Sequence, residues 1–484
     1  MAGNGSHHQP EPQAGDFPSW ASAALDAATT ALDTVPKNSE GSVESAQVRG
    51  PIPSGPVDDP LRNYPFFSAR QDLASYGYTE EEFFFSGTTF GGPYTSRMLV
   101  RRPTSPARFS GTVFVEWLNV TSGYDLDALW LRSADQILRD GDAYIAVDAQ
   151  IEGLYTPKTG LRSFSLPRYE CLDIPKNGTN IFEPGAYGIF AQALQTIRHP
   201  LGVNPLGGLP PTTVVATGTS QSAGTLWIYS STFGVTFPTL VDAYLITALS
   251  TTTLLPGIPA ASASFPFIVA DHHVPVFILN TETDPSFHRS MPDSATFRLW
   301  EVAGSSHFDY DVSLQIDALT KRDFPPGALP ADPVCAAPTL SRIPFRYAQN
   351  AALVHITRWA RTGTPPPSQP GFTYTSTGNI CRDSDGNALG GVRLPEQDVP
   401  TATNRGDNSG PSPCNLLGYY IRFTSERLQQ LYPNHTAYVQ QVRAATERAV
   451  TAGVLLPPDA SEVIATAEAA NNIPPATSPT SSTS

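Results

Sequence analysis

The sequence predicts an α/β fold in which a mostly parallel sheet is covered by helices on both faces. Short β-branched runs alternate with segments of helical periodicity through the middle of the chain, the pattern that strand–helix–strand units produce. Hydrophobic residues form 40% of the 484 residues, so the chain can bury a large core. The sequence has no internal repeat of 20–50 residues, which argues against solenoids and propellers.

The first strand–helix–strand unit is predicted within residues 111–149. The run GTVFVEWLN at 111–119 is typical of a strand, and AYIAVDA at 143–149 predicts a second one. Between them, residues 125–141 place leucine, tryptophan and isoleucine side chains at helical spacing and end at a glycine. We therefore expect two parallel strands joined by a helix.

The remainder of the predicted sheet follows an irregular segment. The sequence predicts helices over residues 186–198 and from about Ser222, and strands over residues 212–218, 239–249, 274–280 and 297–303. Most of these strands are nearly continuous apolar runs, as expected for a parallel sheet that is buried on both faces.

The two ends of the chain differ from its middle in composition. Residues 1–50 are polar and rich in Ala, Ser, Pro and Gly, which predicts a flexible arm, and residues 471–484 predict a low-complexity tail. Residues 51–470 then form the ordered domain. The sequence has neither the apolar core of a signal peptide nor an apolar run of about 18 residues. As written, the chain is expected to be cytoplasmic without a membrane span, with secretion as the alternative.

Charge and cysteine content argue against two classes of protein. The 30 Lys and Arg residues against 44 Asp and Glu give a net charge of −14 without a dense basic cluster, so nucleic acid is not an expected partner. The four cysteines lack the C-x-x-C spacing of zinc sites, and no metal or other cofactor is expected. Two disulfides and four separate thiols both stay possible for Cys171, Cys335, Cys381 and Cys414.

The stretch VVATGTSQSAG at residues 214–224 places Ser220 between small residues directly after a predicted strand. The pattern Gly-x-Ser-x-Ser is similar to the G-x-S-x-G nucleophile elbow, where a serine on a strained strand-to-helix turn requires small neighbours. Ser220 is therefore the candidate nucleophile, and its structural alternative is a helix cap. Ser222 is the rival, although it lies one turn further into the helix.

A serine nucleophile needs a base, and the base needs an acid to orient it. The predicted strand at 274–280 is followed by Thr-Glu-Thr-Asp, and the strand at 297–303 by Gly-Ser-Ser-His. In hydrolases with this elbow the chain order is Ser, acid, His, which indicates Asp284 as the acid and His307 as the base. Glu282 is the alternative acid, and Asp284 has helix capping as its structural alternative.

The negatively charged tetrahedral intermediate needs two hydrogen-bond donors. The backbone N–H of Gln221, the residue after the candidate nucleophile, is expected to supply the first. The second is expected from the loop that follows the strand at 111–119, through the backbone of either Leu118 or Asn119. The glycosylation motif at Asn119 is then not expected to be used.

With these motifs in view, the sequence resembles the α/β-hydrolase-domain proteins, a large group of esterase-like sequences whose elbow is G-x-S-Q-S-A. The similarity extends from about residue 48 to about 470. It rests on VFVEWLNVTSG, GTSQSAG, TETD, WEVAGSSH and, most distinctively, RDSDGNALGGVRLPEQDVPTA at 382–402.

The resemblance implies an α/β-hydrolase fold with Ser220 as nucleophile, His307 as base and an acid within TETD. It also implies that the C-terminal part, about residues 363–470, packs on the hydrolase core. It makes a disulfide between Cys335 and Cys414 an expectation. Many relatives of this group carry export signals, whereas the sequence here begins with the polar arm, so both localisations stay open.

The expected function is hydrolysis of carboxylic esters or lactones of small to medium apolar substrates, through an acyl-enzyme on Ser220. The expected partner is therefore a small-molecule ester. The alternatives are an acyltransferase that uses the same acyl-enzyme and a catalytically silent binding protein with this fold. Apolar insertions at residues 150–185 and 250–267 are expected to form a cap that selects the substrate.

Overall fold

The computed structural model describes residues 19–178, 183–249, 272–284, 292–471 and 473. Its strands are β1 (Gln47–Arg49), β2 (Tyr78–Thr89), β3 (Gly92–Pro103), β4 (Thr112–Trp117), β5 (Ala143–Val147), β6 (Leu201–Gly202), β7 (Thr213–Thr219), β8 (Ala243–Thr247), β9 (Val276–Thr281), β10 (Phe297–Val302), β11 (Ala402–Arg405) and β12 (Tyr419–Arg422).

Five of the described helices have only four residues, and a short 3₁₀ turn lies at Leu73–Tyr76. The described helices are α1 (Ser19–Thr34), α2 (Ala128–Asp140), α3 (Ile151–Tyr155), α4 (Leu161–Phe164), α5 (Leu166–Tyr169), α6 (Pro184–Arg198), α7 (Gln221–Ser231), α8 (Phe233–Thr236), α9 (Tyr310–Asp323), α10 (Phe345–Thr362), α11 (Pro395–Asp398), α12 (Cys414–Leu417), α13 (Ser425–Leu431), α14 (His435–Thr451) and α15 (Pro457–Ala469).

Ten strands form one sheet in the order β10-β9-β8-β7-β4-β5-β3-β2-β1-β6. The strands from β10 to β5 are parallel to one another, whereas β3, β2 and β1 add antiparallel pairs at the other side. All six predicted strands are present as β4, β5 and β7–β10. The side chains of β4, β5, β7, β8 and β9 are buried throughout, which explains why these strands stand out in the sequence.

Hydrophobic cores lie on both faces of the sheet, as the predicted fold class requires. One core includes residues of α1, α6 and α7, and the other includes residues of α2, α10 and the C-terminal helices α14 and α15. The C-terminal part also joins the sheet edge, where Val392 forms a parallel bridge with Val302 of β10. The expected α/β-hydrolase fold with a C-terminal extension packed on the core is confirmed.

The flexible arm predicted for residues 1–50 is wrong for its described part. In α1, Ala24, Ala27, Ala28 and Ala31 are buried at helical spacing, and the helix packs against α6. Alanine is the best helix former, and a stripe of small side chains lets two helices approach closely. Residues 1–50 are polar overall, and this composition conceals the alanine stripe in the sequence. Residues 1–18 lie outside the described residues.

The low-complexity tail predicted for residues 471–484 falls almost wholly outside the described residues. Only Asn471 and Ile473 of this range are described, and Ile473 is buried against the second core. Asn471 and Ile473 therefore belong to the described part of the chain, beyond the predicted boundary at residue 470.

The antiparallel hairpin of β2 and β3 contains a buried ionic cluster. The carboxylate of Glu82 lies 2.5 Å from Arg97 Nε and 2.6 Å from Arg168 Nη2, and it also accepts a hydrogen bond of 2.8 Å from the Tyr169 hydroxyl. Arg97 in turn contacts Asp125 at 3.2 Å. Because all of these groups are withdrawn from water, the carboxylate is needed to compensate the two guanidinium charges.

We expect Glu82→Gln to lower the free energy of unfolding by about 3–5 kcal/mol, because it leaves two buried arginines without their shared counter-charge. The matched control is Glu81→Gln on the same strand, whose ion pair with Arg102 is partly exposed. This control is expected to cost less than about 1 kcal/mol. Urea denaturation followed by circular dichroism measures both, and equal losses in the two variants would contradict the structural role of the cluster.

Candidate active site

The candidate nucleophile lies on a sharp turn between β7 and α7. Ser220 has φ of +62° and ψ of −118°, a backbone conformation that is costly for a residue with a side chain. Its backbone N–H donates to the carbonyl of Thr247 at 3.0 Å, which ties the turn to β8. A Cβ atom at Gly218 would lie 2.7 Å from the Ser222 carbonyl, so only glycine fits there. The turn therefore has the geometry that the elbow motif requires.

The rival serine is inaccessible to a substrate. Ser222 is fully buried, and its Oγ both donates to the Thr219 carbonyl and accepts from the Thr219 N–H at 3.0 Å. These two bonds within the turn explain how a serine can occupy the position of the second elbow glycine.

The candidate base and acid contact each other. His307 Nδ1 lies 3.0 Å from each carboxylate oxygen of Asp284. The carboxylate is fully buried and accepts a further hydrogen bond of 2.6 Å from the Thr281 hydroxyl. With Nδ1 engaged in this way, Nε2 is the nitrogen of the ring that is available to a serine hydroxyl. His307 and Ser220 line the same cavity.

The alternative acid, Glu282, has different partners. Its carboxylate accepts from the backbone N–H of Gly304 at 2.6 Å and of Gly406 at 3.2 Å, and it pairs with Arg382 at 2.8 Å. Burial raises the pKa of Glu282, and the contact with Arg382 opposes this shift. Glu282 thus joins the loop before His307 to the C-terminal part, while Asp284 is the carboxylate that contacts the imidazole.

Gly406, from the C-terminal part, packs between the turn that carries Asp284 and the turn that carries His307, which we call the acid turn and the histidine turn. A Cβ atom there would lie 2.4 Å from the Thr283 nitrogen and 2.7 Å from the Ser305 carbonyl. The Thr283 hydroxyl donates to the Gly406 carbonyl at 2.6 Å and accepts from the His307 N–H at 3.0 Å. The sequence motifs did not indicate this role for the C-terminal part.

Arg132 is a second residue that the sequence analysis missed. Its Nη2 donates to the His307 carbonyl at 2.6 Å, and its Nε lies 3.6 Å from Asp309. Asp309 caps α9 by accepting from the Val312 N–H at 2.9 Å. Arg132 therefore connects α2 to the histidine turn. The only available signal was a cation within an otherwise apolar helical pattern.

The expected second oxyanion donors are not available. The Leu118 N–H donates to the Val147 carbonyl and the Asn119 N–H donates to the Leu126 carbonyl, each at 3.2 Å. The sequence could not reveal this because an antiparallel bridge between Asn119 and Leu126 forms only when the loop folds back on itself. In the described part of the chain, the next N–H, that of Val120, donates to no protein acceptor. The N–H of Gln221 is the first of α7 and has no acceptor within the helix.

The side chain of Asn119 fixes this loop instead. Its Nδ2 donates to the Thr219 carbonyl at 3.0 Å, and its Oδ1 accepts from the Thr121 N–H at 3.0 Å. The Asn119 amide is buried and both of its ends are hydrogen-bonded within the protein, so the side chain of the glycosylation motif has a structural role.

Ser220 and His307 open into a cavity of about 1270 Å³. Its described walls come from the loop that contains Asn119, from α9, and from two stretches at residues 329–340 and 412–417. The insertion at 150–185, expected to form a cap, contributes no residue to these walls. Two of its residues contact the β2–β3 hairpin instead, because Arg168 and Tyr169 both bind the carboxylate of Glu82. The second expected cap, at 250–267, lies outside the described residues.

The described residues include neither a candidate metal site nor a candidate membrane-spanning helix. They contain no group of three or more His, Cys, Asp or Glu side chains arranged to hold a metal ion. They also contain no helix with both the length and the apolar character needed to cross a membrane.

The mostly parallel sheet, with a serine on a strained turn after a central strand, defines the class of α/β hydrolases. The chain belongs to the alpha/beta hydrolase domain family, whose model matches residues 48–465. A search of curated protein sequences found no match.

The solved structures that this chain matches are distant in sequence. The esterase Est22 is 13% identical over 43% of this chain, with a TM-score of 0.27, and the match spans 65% of the Est22 chain. A lidless α/β serine hydrolase from Xanthomonas campestris is 12% identical over 52% of this chain and 96% of its own, with a TM-score of 0.30. A glucuronoyl esterase from Solibacter usitatus is 10% identical over 60% of this chain and 79% of its own, also at 0.30.

The roles of the two carboxylates in the TETD loop, Glu282 and Asp284, can be distinguished experimentally. We expect Asp284→Asn to slow the reaction of Ser220 with a fluorophosphonate by about 10³–10⁴-fold, because the imidazole loses the partner that orients it and stabilises its cation. The control, Glu282→Gln, keeps a side-chain oxygen for the Gly304 N–H and is expected to slow labelling less than tenfold. A larger effect from Glu282→Gln than from Asp284→Asn would reverse the assignment.

Proposed function

We propose that the protein is a serine hydrolase that cleaves carboxylic esters or lactones through an acyl-enzyme on Ser220. The observation that carries this proposal is the position of Ser220 on a strained turn in the same cavity as His307, whose ring is held by a buried Asp284. The family assignment supports hydrolase chemistry in general, and the ester bond is the finer part of the proposal.

In the proposed reaction, Ser220 Oγ attacks the ester carbonyl while His307 Nε2 removes its proton. The same imidazole then protonates the leaving alcohol, and in the second half it activates a water molecule that releases the acid. Asp284 stabilises the imidazolium that forms in each half. The chain supplies every group that this sequence of proton transfers requires, without a metal or another cofactor.

The oxyanion would be held by the N–H groups of Gln221 and Val120. The first belongs to the open end of α7, where the helix dipole also favours negative charge. The second replaces the expected donors of Leu118 and Asn119, because it directly follows them and has no other protein acceptor in the described part of the chain. The bond from Asn119 to the Thr219 carbonyl holds the two donor segments together.

Two alternatives share the same fold. An acyltransferase would use the same acyl-enzyme but would have to exclude water from it. A silent binding protein would not need the His307–Asp284 contact, so this pair supports an enzyme.

The Cys335–Cys414 disulfide supports the secreted alternative for localisation, because structural disulfides persist in oxidising compartments.

The primary test combines active-site labelling with turnover. Wild-type protein is expected to react with a fluorophosphonate probe and to hydrolyse p-nitrophenyl acetate. Ser220→Ala is expected to abolish labelling and to lower kcat by at least about 10³-fold, since it removes the proposed attacking hydroxyl. The matched control, Ser222→Ala, removes a buried hydroxyl two residues away and is expected to retain labelling at Ser220.

Peptide mapping of the labelled protein identifies the modified residue. A label on a residue other than Ser220, or activity retained in Ser220→Ala, would contradict the proposed nucleophile. A folded wild-type protein that neither reacts with the probe nor hydrolyses any ester would instead favour the binding-protein alternative.

A further inference from the structure

The cavity beside Ser220 and His307 exceeds what a short ester requires. Its volume of about 1270 Å³ lies above the usual range of roughly 300–1,000 Å³ for sites that bind drug-sized ligands. The side chains that line it include Tyr124, Val312, Ile316, Leu329, Leu340 and Leu416. A short acyl group would leave most of this apolar surface in contact with water.

One wall of the cavity is built by two stretches that are distant in sequence and joined by a disulfide. The first stretch, residues 329–335, ends at Cys335. The second, residues 412–417, contains Cys414, and the two cysteines are 79 residues apart. Pro333 lines the cavity just before Cys335, and Pro413 and Asn415 line it on either side of Cys414. We call this combined surface the disulfide wall.

The first stretch of the disulfide wall depends on the disulfide for its position. Within the described chain, residues 329–335 take part in no backbone–backbone hydrogen bond. The nearest such bonds on either side are from Ala328 to Pro325, and from Ala336 to Ser409 at 2.8 Å. The disulfide at Cys335 is therefore the covalent anchor of this stretch, and the hydrogen bonds of Ala336 with Ser409 and of Ala337 with Asn408 follow directly after it.

The second stretch is anchored independently of the disulfide. The Leu416 carbonyl accepts from the N–H of Phe308, the residue after His307, at 3.0 Å, and the Leu417 carbonyl accepts from the Leu340 N–H at 3.1 Å. Loss of the disulfide should consequently displace residues 329–335 and leave the turn that carries His307 in place.

We propose that the disulfide wall is the binding site for a bulky apolar group of the ester substrate, and that the Cys335–Cys414 disulfide sets the enzyme's preference for such substrates. This inference rests on the proposed ester hydrolysis at Ser220. It extends the expected small to medium substrates to esters whose apolar part is long or bulky enough to reach the wall. A short ester is expected to gain less from the wall because it has little apolar surface to bury there.

The test compares p-nitrophenyl decanoate with p-nitrophenyl acetate. Wild-type protein is expected to have a higher kcat/KM for decanoate than for acetate. In Cys335→Ser/Cys414→Ser, the decanoate-to-acetate ratio of kcat/KM is expected to fall about tenfold, mainly through a higher KM for decanoate. A tenfold change corresponds to lost burial of about two methylene groups.

The other two cysteines provide the matched control. Cys171 and Cys381 carry free thiols and do not line the cavity. The variant Cys171→Ser/Cys381→Ser is expected to keep the wild-type ratio. Dithiothreitol followed by alkylation, applied to this variant, opens only the disulfide and should reproduce the tenfold fall without any substitution at Cys335 or Cys414.

A second variant tests the wall without altering the disulfide. Leu416→Trp adds volume on the cavity side while keeping the backbone carbonyl that binds the Phe308 N–H. It is expected to lower the ratio at least tenfold, because the decanoyl chain loses its space. This variant also keeps the proposal testable if the cysteine variant fails to fold.

Three outcomes would overturn the inference. They are a wild-type preference for acetate, an unchanged ratio after the disulfide is opened, and an equal loss of activity on both esters, which would mean that the wall acts on the chemistry. Labelling of Ser220 separates this failure from that of the proposed function. Labelled protein with an unchanged ratio removes the substrate inference alone, whereas absent labelling and turnover removes both.

Discussion

The proposed catalytic site depends on the contact between Gly406 and the two turns that carry Asp284 and His307. The acid and the base come from loops after neighbouring strands, and parallel pairing alone does not fix the positions of loops. Gly406 fills the space between these loops so closely that a Cβ atom would meet backbone atoms at 2.4–2.7 Å. Glu282 and Thr283 bond to Gly406 from the acid side. A residue that is 122 positions after Asp284 and 99 after His307 therefore helps to set the distance between the proposed acid and base.

An equivalent constraint acts on the nucleophile side. The backbone strain at Ser220, on the order of 1–3 kcal/mol, persists only where the surrounding structure enforces it. The bond from its N–H to the Thr247 carbonyl and the absence of a side chain at Gly218 provide that enforcement. The side chain of Asn119, in the loop after β4, donates a hydrogen bond to the Thr219 carbonyl and so joins that loop to the turn at Ser220. Since these contacts are made by the protein itself, the proposed oxyanion donors need little reorganisation during the reaction.

The sequence was sufficient for the parts of the fold whose patterns are local. Strands β4, β5 and β7–β10 are apolar runs, and Ser220, Asp284 and His307 lie in the turns that follow three of them. The hairpin of β2 and β3 was missed because its Glu82 and Arg97 indicate a surface segment until Arg168 and Tyr169 are known to cover them. The oxyanion assignment to Leu118 and Asn119 failed for a related reason. A sequence pattern places a backbone N–H near a site, but only the folded loop determines whether another carbonyl has already accepted it.

The division of roles between the sheet and the C-terminal part bears on how substrates are distinguished. The proposed nucleophile, acid and base all follow strands of the sheet, so their geometry is tied to the buried core and has little freedom to vary. The disulfide wall and α9 lie outside the sheet and face the cavity, where a change of side chain alters the available space without disturbing the core. Because Gly406 and residues 412–417 of the disulfide wall both belong to the C-terminal part, that part contributes to the proposed site and to one side of the cavity. Displacement of the region around Gly406 would disturb the acid and base together, whereas displacement of residues 329–335 would change only the cavity.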